Sequence, residues 1–242
     1  MKQKFMLRSI KQLYGDKLGA SDGEIGHIKD FYFDDRNWAV RYVVADTGSW
    51  LPGRQVLISP HSLGRLAQAG KVLRVNLTRA QIENSPPIES HKPVSRQYEE
   101  EYHRYYGWPY YWQGDALWGM SSIPMMELPS KPLPGKPATW TDPPPKGPES
   151  HLRSAKSVNG YHLRASDGEI GHVCDFMMDD QSWAIGQLVV KTGHRLSGRE
   201  VQIPANKVDR ISYEDSTVFV NLTGEGVEES PAHYMAAAGA VE

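Results

Sequence analysis

The sequence predicts an all-β protein that consists of two small β-barrels joined by an aromatic- and proline-rich connector. Three observations support this prediction: a segment that recurs later in the chain, short apolar runs separated by turn residues in each copy, and a connecting stretch of unusual composition. We expect a first domain at 1–86, a connector at 87–152, a second domain at 153–231 and a tail at 232–242. A chain of 242 residues is long enough for two such domains.

The repeat is evident from a direct comparison of the two copies. The eight residues from Ala20 to His27 recur unchanged from Ala165 to His172, an offset of 145 positions. At that offset, 30 of the 67 residues from Ala20 to Pro86 are identical to their counterparts, without a gap. Self-similarity at this level indicates two homologous structural units.

Each copy has the pattern of five or six short strands. In the first copy the strand-like runs lie at 24–33, 39–46, 55–59 and 73–77, and Gly, Asp and Asn residues separate several of them, as is typical of turns. The run from Thr78 to Gln81 predicts a capping box that opens one helical turn. Short strands with one buried face favour a small closed barrel, because closure removes the exposed edges of a sheet.

One set of turn and core residues runs through both copies. In the first copy it comprises Gly15, Leu18, the run from Asp22 to Phe31, Trp38, Val43, Val44 and the run from Leu51 to Pro60, which the second copy matches through Leu196 to Pro204. This set resembles the PRC-barrel domain, which is named for the cytoplasmic part of the H subunit of bacterial photosynthetic reaction centres. A related barrel forms the C-terminal half of a ribosome-maturation factor. The resemblance covers both repeats, about two thirds of the chain, and it implies a docking and scaffolding module without catalysis.

Composition bears on the compartment and on the class of partner. The single cysteine, Cys174, allows neither an internal disulfide nor a thiolate metal cluster, which suits a reducing compartment. No window of the sequence approaches the ~20 apolar residues of a membrane span. The net charge of -2 does not favour nucleic acid as a partner. We therefore expect a soluble, cytoplasmic protein that contacts a membrane peripherally at most.

The two copies differ in charge and at several single positions. Residues 1–86 carry 13 basic and 8 acidic side chains, and residues 153–231 carry 8 and 12, which gives net charges of +5 and -4. If the differing positions lie outward, the barrels share a core, present different surfaces and attract each other, within one chain or between chains. Examples are Arg41 against Gly186, Asp46 against Lys191, Trp50 against Arg195 and Leu57 against Gln202.

The connector has two parts of unlike composition. Its first part predicts a short helix at 97–106 that Gly107 and Pro109 end. Its second part holds nine prolines between 124 and 148 and is expected to be extended. The first part also contains nine large aromatic residues within 21 positions: Tyr98, Tyr102, Tyr105, Tyr106, Trp108, Tyr110, Tyr111, Trp112 and Trp118.

These nine aromatic residues are the candidate interaction surface of the protein. Burial of one such side chain is worth ~1.5–3 kcal/mol, so the group has a strong tendency to pack on something. Three alternatives stay open at this stage. The connector straps across one or both barrels and completes their core, or it forms a homo-oligomer or partner surface, or it contacts a membrane interface.

Other recurring residues invite a chemical interpretation, but none has the partners that chemistry needs. His27 and His172 are equivalent, yet no second His or Cys recurs near them, which favours a structural role over a metal site. The pairs Asp34-Asp35 and Asp179-Asp180 fall where hairpin turns are expected, and adjacent strand residues point to opposite faces.

The remaining recurring pair and the cysteine have similar structural interpretations. Gly53-Arg54 and Gly198-Arg199 suggest a glycine with positive φ and an arginine that pairs with a nearby acid. Cys174, which replaces Lys29, is expected to be a small, half-buried residue. The sequence assigns no catalytic, metal-binding or cofactor-binding residue.

The function expected from these observations is a non-catalytic scaffold or adaptor that binds other proteins and self-associates, without a cofactor. Two further hypotheses stay open. The maturation-factor resemblance and the +5 first copy favour association with RNA or ribosomes, and the reaction-centre resemblance favours a peripheral role at a membrane photosynthetic or electron-transfer complex. An enzyme is the class that the sequence supports least.

Overall fold

The computed structural model describes residues 6–52, 54–64, 66, 72–86, 94, 96–125, 152–193 and 198–233. In chain order the strands are β1 (Leu7–Ser9), β2 (Lys17–Ala20), β3 (Gly23–Asp34), β4 (Ala39–Asp46), β5 (Gln55–Ile58), β6 (Leu73–Arg74), β7 (Leu152–Ser154), β8 (His162–Ala165), β9 (Gly168–Asp179), β10 (Ile185–Thr192), β11 (Glu200–Pro204), β12 (Val208–Ser212) and β13 (Thr217–Val220). The helices are α1 (Arg79–Glu83), α2 (Arg96–Tyr106), α3 (Ala155–Val158) and α4 (Gly224–Glu228), and 3-10 turns lie at Lys11–Leu13, Pro60–Ser62 and Ala205–Lys207. The protein is mostly sheet with few helices, as predicted.

The strands form two sheets, one for each copy of the repeat. The first has the order β5-β4-β3-β2-β6, and the second has the order β11-β10-β9-β8-β13-β12. In each copy the first and last of these strands in sequence pair in parallel, β2 with β6 and β8 with β13, while the other pairs are antiparallel. The strand pairing closes neither sheet into a barrel in the described part of the chain. The barrel therefore stays a prediction.

The two sheets exchange their first strands. Strand β1, from the first copy, pairs with β9 of the second sheet, and β7, from the start of the second copy, pairs with β3 of the first sheet. The registers are equivalent at the offset of 145, since Arg8 faces Met178 and Arg153 faces Phe33. The domains predicted from sequence thus each contribute a strand to the other's sheet. We call the two sheets, with the helices that pack on them, the first and second modules.

Side chains reinforce this exchange in matched pairs. Asp175 accepts from the hydroxyl of Ser9 and, at 3.0 Å, from the backbone N–H of Lys11. Asp30, the counterpart of Asp175, accepts from Ser154 Oγ at 2.5 Å and from the N–H of Lys156 at 3.0 Å. Salt bridges repeat the pattern: Arg153 pairs with Asp35 at 2.5 Å and Arg8 with Asp180 at 3.8 Å. The two modules do contact each other, and they do so through these reciprocal pairs.

A pseudo-twofold axis relates the modules and passes between Ala39 and Ala184. These two equivalent residues form an antiparallel bridge with each other. On either side, Val40 N donates to Trp183 O at 2.9 Å and Ile185 N donates to Trp38 O at 2.6 Å. Both tryptophans have positive φ, 51° and 60°, a conformation that costs energy outside glycine and that persists only where the surrounding structure holds it. Both copies therefore contribute the same backbone conformation to this contact between the modules.

Most predicted elements of the first copy are confirmed. Strands β3, β4 and β5 cover the first three runs, whereas the last is shorter than expected because only Leu73–Arg74 pair with β2. Thr78 and Gln81 form the expected capping box of α1. Helix α2 ends before Gly107, which has φ of +70°. No described helix has the length and apolar character to span a membrane.

Candidate interaction surfaces

The described part of the connector packs on the first sheet and contributes to its core. Of the nine predicted surface aromatics, only Tyr105 is exposed, at 41%. Tyr102, Trp108, Tyr111 and Trp118 are buried at 8% exposure or less and belong to the continuous apolar core that both modules share. The others, Tyr98, Tyr106, Tyr110 and Trp112, are half-buried. A partner can reach the buried rings only if the connector leaves the sheet.

The connector also touches both modules through its indole groups. Trp108 Nε1 donates to Ser62 Oγ in the first module at 2.7 Å, and its ring stacks on Tyr106 with centroids 4.3 Å apart. Trp118 Nε1 donates at 2.7 Å to the carbonyl of Ser182, which lies in the hairpin turn of the second module. Buried tryptophans need such a partner for the N–H. The two indole hydrogen bonds thus attach the connector to both modules.

A buried polar network lies beneath the connector, with Glu99 at its centre. Glu99 is 3% exposed, and its Oε1 accepts from Tyr111 Oη at 2.6 Å and lies 3.0 Å from Tyr42 Oη. Its Oε2 lies 3.0 Å from Arg96 Nη1. Because an unpaired carboxylate in an apolar interior is costly, these partners are what allow Glu99 to be buried. Glu99 therefore helps to join helix α2 to strand β4.

His103 is a second partner of the Tyr42 hydroxyl in this network. Its Nδ1 lies 2.9 Å from the carbonyl oxygen of Pro109, and because a carbonyl only accepts, Nδ1 carries a proton. Burial lowers the pKa of His103 to about 3, so the ring is neutral at pH 7 and its Nε2 is an acceptor. Nε2 lies 2.8 Å from Tyr42 Oη. The hydroxyl of Tyr42 thus lies within hydrogen-bond distance of both Glu99 Oε1 and His103 Nε2.

The burial of Glu99 is offset by its polar partners. Burial raises the pKa of Glu99, whereas the charge of Arg96 and the hydrogen bonds from Tyr111 and Tyr42 lower it. Glu99 and His103 are both 3% exposed or less. The network therefore lies within the contact between the connector and the first sheet.

Arg41 anchors the same region by its guanidinium. The side chain is 1% exposed, and its Cζ lies 3.9 Å from the ring centroid of Tyr111 and 4.9 Å from that of Trp118. Its Nη1 donates to Leu117 O at 2.6 Å. The condition that the differing positions lie outward is not met at Arg41, because the connector covers it. The stacked rings and the carbonyl replace the water that the guanidinium loses.

The equivalent face of the second module is polar and, in the described part of the chain, has no comparable cover. Tyr42 and Leu57 are fully buried, whereas their counterparts Gln187 and Gln202 are half-buried. Gly186, the counterpart of Arg41, is exposed. An apolar side chain is favoured where the connector covers the sheet and a polar one where it does not. The two modules therefore share a backbone frame but present unlike faces, although Arg41 and Leu57 do not themselves lie outward.

The recurring histidines and the cysteine lie on the long strands of the two sheets. His27 is exposed and His172 half-buried, each on the long strand of its sheet. Among the described residues no three His, Cys, Asp or Glu side chains are placed to hold a metal ion. Cys174 is half-buried as predicted, its Sγ lies 3.3 Å from Val189 O, and burial raises the pKa of its thiol to about 12. It is not a thiolate at neutral pH.

The aspartate pairs form turns, as predicted. Asp34 Oδ1 accepts from Arg36 N at 3.0 Å, and Asp179 Oδ1 accepts from Ser182 N at 2.7 Å. The second aspartate of each pair makes the salt bridge between modules described above. Its role was not foreseen, although the repeated Leu-Arg-Ser at 7–9 and 152–154 was a signal for the exchange.

The Gly-Arg pairs differ from expectation in two respects. Among the described residues Arg54 pairs with no carboxylate. Its guanidinium donates to backbone carbonyls at the end of α1, with Glu83 O at 2.5 Å and also Ser85 O. Gly198 is required by close approach, since a Cβ there would lie 1.8 Å from Thr192 O, and positive φ is not the reason. Gly53 lies outside the described residues.

Beyond the packed rings, the connector exposes a short apolar run. Met120, Ile123 and Met125 are 93%, 46% and 56% exposed. Comparison of the chain with protein-family models and with curated proteins finds no match.

Proposed function

We propose that this protein is a non-catalytic scaffold or adaptor, built from two PRC-type modules, that binds other proteins. One observation supports the proposal most strongly: the two sheets are arranged symmetrically, but their equivalent faces differ. The reciprocal exchange of β1 and β7 joins the modules. The connector covers one face, and the other face is polar. Such a body can hold different partners at a fixed distance and orientation.

The placement of the titratable residues also supports a binding role over catalysis. The network of Glu99, Tyr42 and His103 is sealed beneath the connector. The recurring aspartates bind backbone and side-chain donors at turns and at the module junction. These groups make internal contacts that stabilise the fold. This is typical of a structural frame whose function resides on its surface.

The PRC-barrel assignment belongs to this proposal. Strands β3 and β9 each run for 12 residues and change register along their length, which bends a sheet strongly. The parallel pairing of the first and last strands of each copy brings the two ends of the repeat together. Both features suit a sheet that curls towards a small barrel.

The test is a purification of the tagged chain from its own cells, followed by identification and reconstitution of what accompanies it. We expect a discrete protein that, when purified separately, binds the chain with defined stoichiometry. Replacement of Met120, Ile123 and Met125 by serine tests whether the partner binds the connector, because loss of binding would locate the contact there. Val72→Ser, at a site 49% exposed, is the matched control. Nucleic acid released by salt would instead favour the RNA hypothesis, and a lone protein would contradict the adaptor.

A further inference from the structure

The first module contains a buried ion pair between strands β3 and β4. Arg41 is 1% exposed, and its Nη2 lies 3.5 Å from Oδ2 of Asp34, which is 3% exposed. Asn37 Nδ2 donates to the same carboxylate oxygen at 3.2 Å. A carboxylate that is removed from water requires such partners, because an uncompensated buried charge is costly. Arg41 therefore supplies the positive charge that the burial of Asp34 needs.

The second module keeps the carboxylate and loses both of its partners. Asp179, the counterpart of Asp34, is 8% exposed. Gly186 replaces Arg41, and Ser182 replaces Asn37. The hydroxyl and the N–H of Ser182 donate to Asp179 Oδ1, at 2.6 and 2.7 Å, and not to Oδ2.

The loss leaves one oxygen of this buried carboxylate unpaired. Among the described residues Asp179 Oδ2 is buried and has no hydrogen-bond partner, and Asp179 forms no ion pair. The neighbouring Asp180 pairs with Arg8 of the exchanged strand at 3.8 Å, so that arginine compensates Asp180. The negative charge of Asp179 is thus uncompensated in the described part of the chain.

The unpaired oxygen faces the position of the lost arginine. In both copies Oδ1 accepts from the backbone N–H two residues later, which is Arg36 N at 3.0 Å from Asp34 and Gln181 N at 3.2 Å from Asp179. Because Oδ1 is held in the turn in the same way, Oδ2 has the same direction in both modules. The carboxylate of Asp179 is therefore aimed at the place where the first module holds its guanidinium.

A second unpaired acceptor lies beside this place. The amide oxygen of Gln187, the residue after Gly186, is buried and has no hydrogen-bond partner among the residues that the structure describes. In the first module the equivalent side chains, Arg41 and Tyr42, both reach the connector, through Leu117 O and Glu99 respectively. Gly186 and Gln187 thus belong to the face that has no such cover.

The surface at Gly186 has room for a side chain from outside. Gly186 is exposed, and the only atom that an added Cβ would meet within 4 Å is Leu7 Cδ2, at 3.7 Å. Leu7 is 43% exposed, whereas its counterpart Leu152 is 8% exposed. We call Gly186, Asp179, Gln187 and Leu7 the Gly186 site. It combines two unpaired acceptors with an exposed apolar side chain.

We propose that the Gly186 site binds an arginine side chain of a partner protein, with the guanidinium in the position that Arg41 takes in the first module. A guanidinium carries several N–H donors in a planar fork, so it can pair with Asp179 Oδ2 and Gln187 Oε1 together, whereas an ammonium group is a point charge. The aliphatic stem of the arginine packs on Leu7. The inference rests on the proposed adaptor function and names the residue that the partner contributes.

The test is a titration of the isotope-labelled full-length protein with the capped peptide acetyl-Gly-Arg-Gly-amide, followed by NMR at low salt. We expect the largest shifts at the backbone amide of Gly186 and the side-chain amide of Gln187. The same peptide with citrulline, which has a similar shape and no charge, should bind at least about tenfold more weakly. Equal binding of the two peptides, or shifts confined to other surfaces, would overturn the proposal. Tighter binding of free arginine than of the peptide would assign the site to a small molecule and would also overturn it.

Two variants remove the site in different ways. Gly186→Arg should supply the guanidinium from the chain itself, as Arg41 does, and abolish the shifts at Gln187. Asp179→Asn should weaken binding of the arginine peptide about five- to tenfold, because it removes the charge that the guanidinium meets. The control is Glu214→Gln, which removes one charge at an exposed acid of the second module and should change the affinity less than about twofold. Unchanged binding in folded Gly186→Arg and Asp179→Asn proteins would overturn the proposal.

A further variant tests whether the chain fills the site with its own lysines. Lys2 and Lys4 precede Leu7 in the sequence and lie outside the described residues. We expect their joint replacement by serine to leave the affinity for the arginine peptide unchanged. An increase of about tenfold or more would show that this segment competes for the site, and the proposal would then be wrong.

The outcomes separate this inference from the proposed function. A protein partner whose affinity for the chain is unaffected by Gly186→Arg would contradict the arginine site and leave the adaptor standing. Arginine-dependent shifts at Gly186 in a protein that recovers no partner from cells would support the site and contradict the adaptor.

Discussion

Tyr42 shows at the residue scale how the connector is held. Its hydroxyl lies between Glu99 and His103 in a site where all three side chains are buried. The counterpart in the second copy is Gln187, so the hydroxyl belongs to the covered face and not to the shared frame. The polar groups of this network depend on one another, because removal of one leaves its neighbours without a partner.

We expect Tyr42→Phe to lower the free energy of unfolding by about 1–3 kcal/mol, since Glu99 and His103 then each lose a partner in a buried site. Denaturant unfolding measures the change. Tyr105→Phe is the control, because its exposed hydroxyl donates only to Gln81 O at 2.8 Å, and its effect should stay within about 0.5 kcal/mol. Equal effects of the two substitutions would contradict the network.

His61 gives a second prediction, for the dependence of stability on pH. Burial, followed by the charge of Arg41, lowers the pKa of His61 from 6.5 to about 4. Between these values the unfolded chain binds the proton and the folded protein does not. Stability from this group is therefore complete above pH 6.5 and falls as the pH drops towards 4, by about 1.4 kcal/mol per pH unit.

His61→Asn tests this dependence, because asparagine is the residue of the second copy at this position, Asn206. The difference in unfolding free energy between the wild type and the variant should shrink steadily from pH 6.5 to 4. It should be constant above pH 6.5. A difference that does not vary across this range would show that His61 titrates normally in the folded protein.

At the scale of elements, β1 and β7 are the parts that the sequence least revealed. Strands β3, β4 and β5 and the capped helix α1 could be predicted because their signals are local: alternation, turn residues and a cap. The exchange is a long-range pairing of three-residue strands, and no local pattern states which sheet such a strand joins. The repeated Leu-Arg-Ser marked these segments as shared by both copies without showing where they pair.

The position of the connector was also only partly predictable. Its aromatic content indicated burial but not the module that receives it. The differences between the two copies indicated which module receives the connector. Leu57 and Tyr42 of the covered face are replaced by the polar residues Gln202 and Gln187 on the uncovered face. Arg41 was misleading, because a charged residue suggests an exposed position. A charged side chain is buried only with stacking and hydrogen-bonding partners, and the sequence does not display them.

The exchange predicts equal effects of two equivalent substitutions. Ser9→Ala and Ser154→Ala each remove a hydroxyl donor from an aspartate of the opposite sheet, Asp175 or Asp30. We expect each to cost about 1–3 kcal/mol of unfolding free energy. Ser21→Ala, at an exposed serine, should cost under about 0.5 kcal/mol. Destabilisation by only one of the pair would argue against the equivalence of the two junctions.

At the scale of the whole molecule, the protein behaves as one body made from two copies. Each copy completes the sheet of the other, and the apolar core is continuous across both modules and the connector. Backbone pairing and apolar contact join the two copies, and the attraction expected from their opposite net charges stays a prediction. The same symmetric frame then supports unlike faces, which is the basis of the proposed adaptor.

A cut in the connector should leave this body intact. If a protease site is inserted between residues 130 and 150 and cleaved, the two fragments should elute together from gel filtration, even in 1 M salt. High salt screens surface charges but not strand pairing or apolar burial. Fragments that separate at high salt and rejoin at low salt would mean that net charge holds the modules together.

The most direct test of the account is the measurement of NMR contacts across the exchanged strands in the intact protein. The account predicts backbone NOEs between Arg8 and Met178 and between Arg153 and Phe33, the facing residues of β1 with β9 and of β7 with β3. NOEs that instead join Arg8 to Phe33 and Arg153 to Met178 would place each strand in its own sheet and contradict the reciprocal exchange.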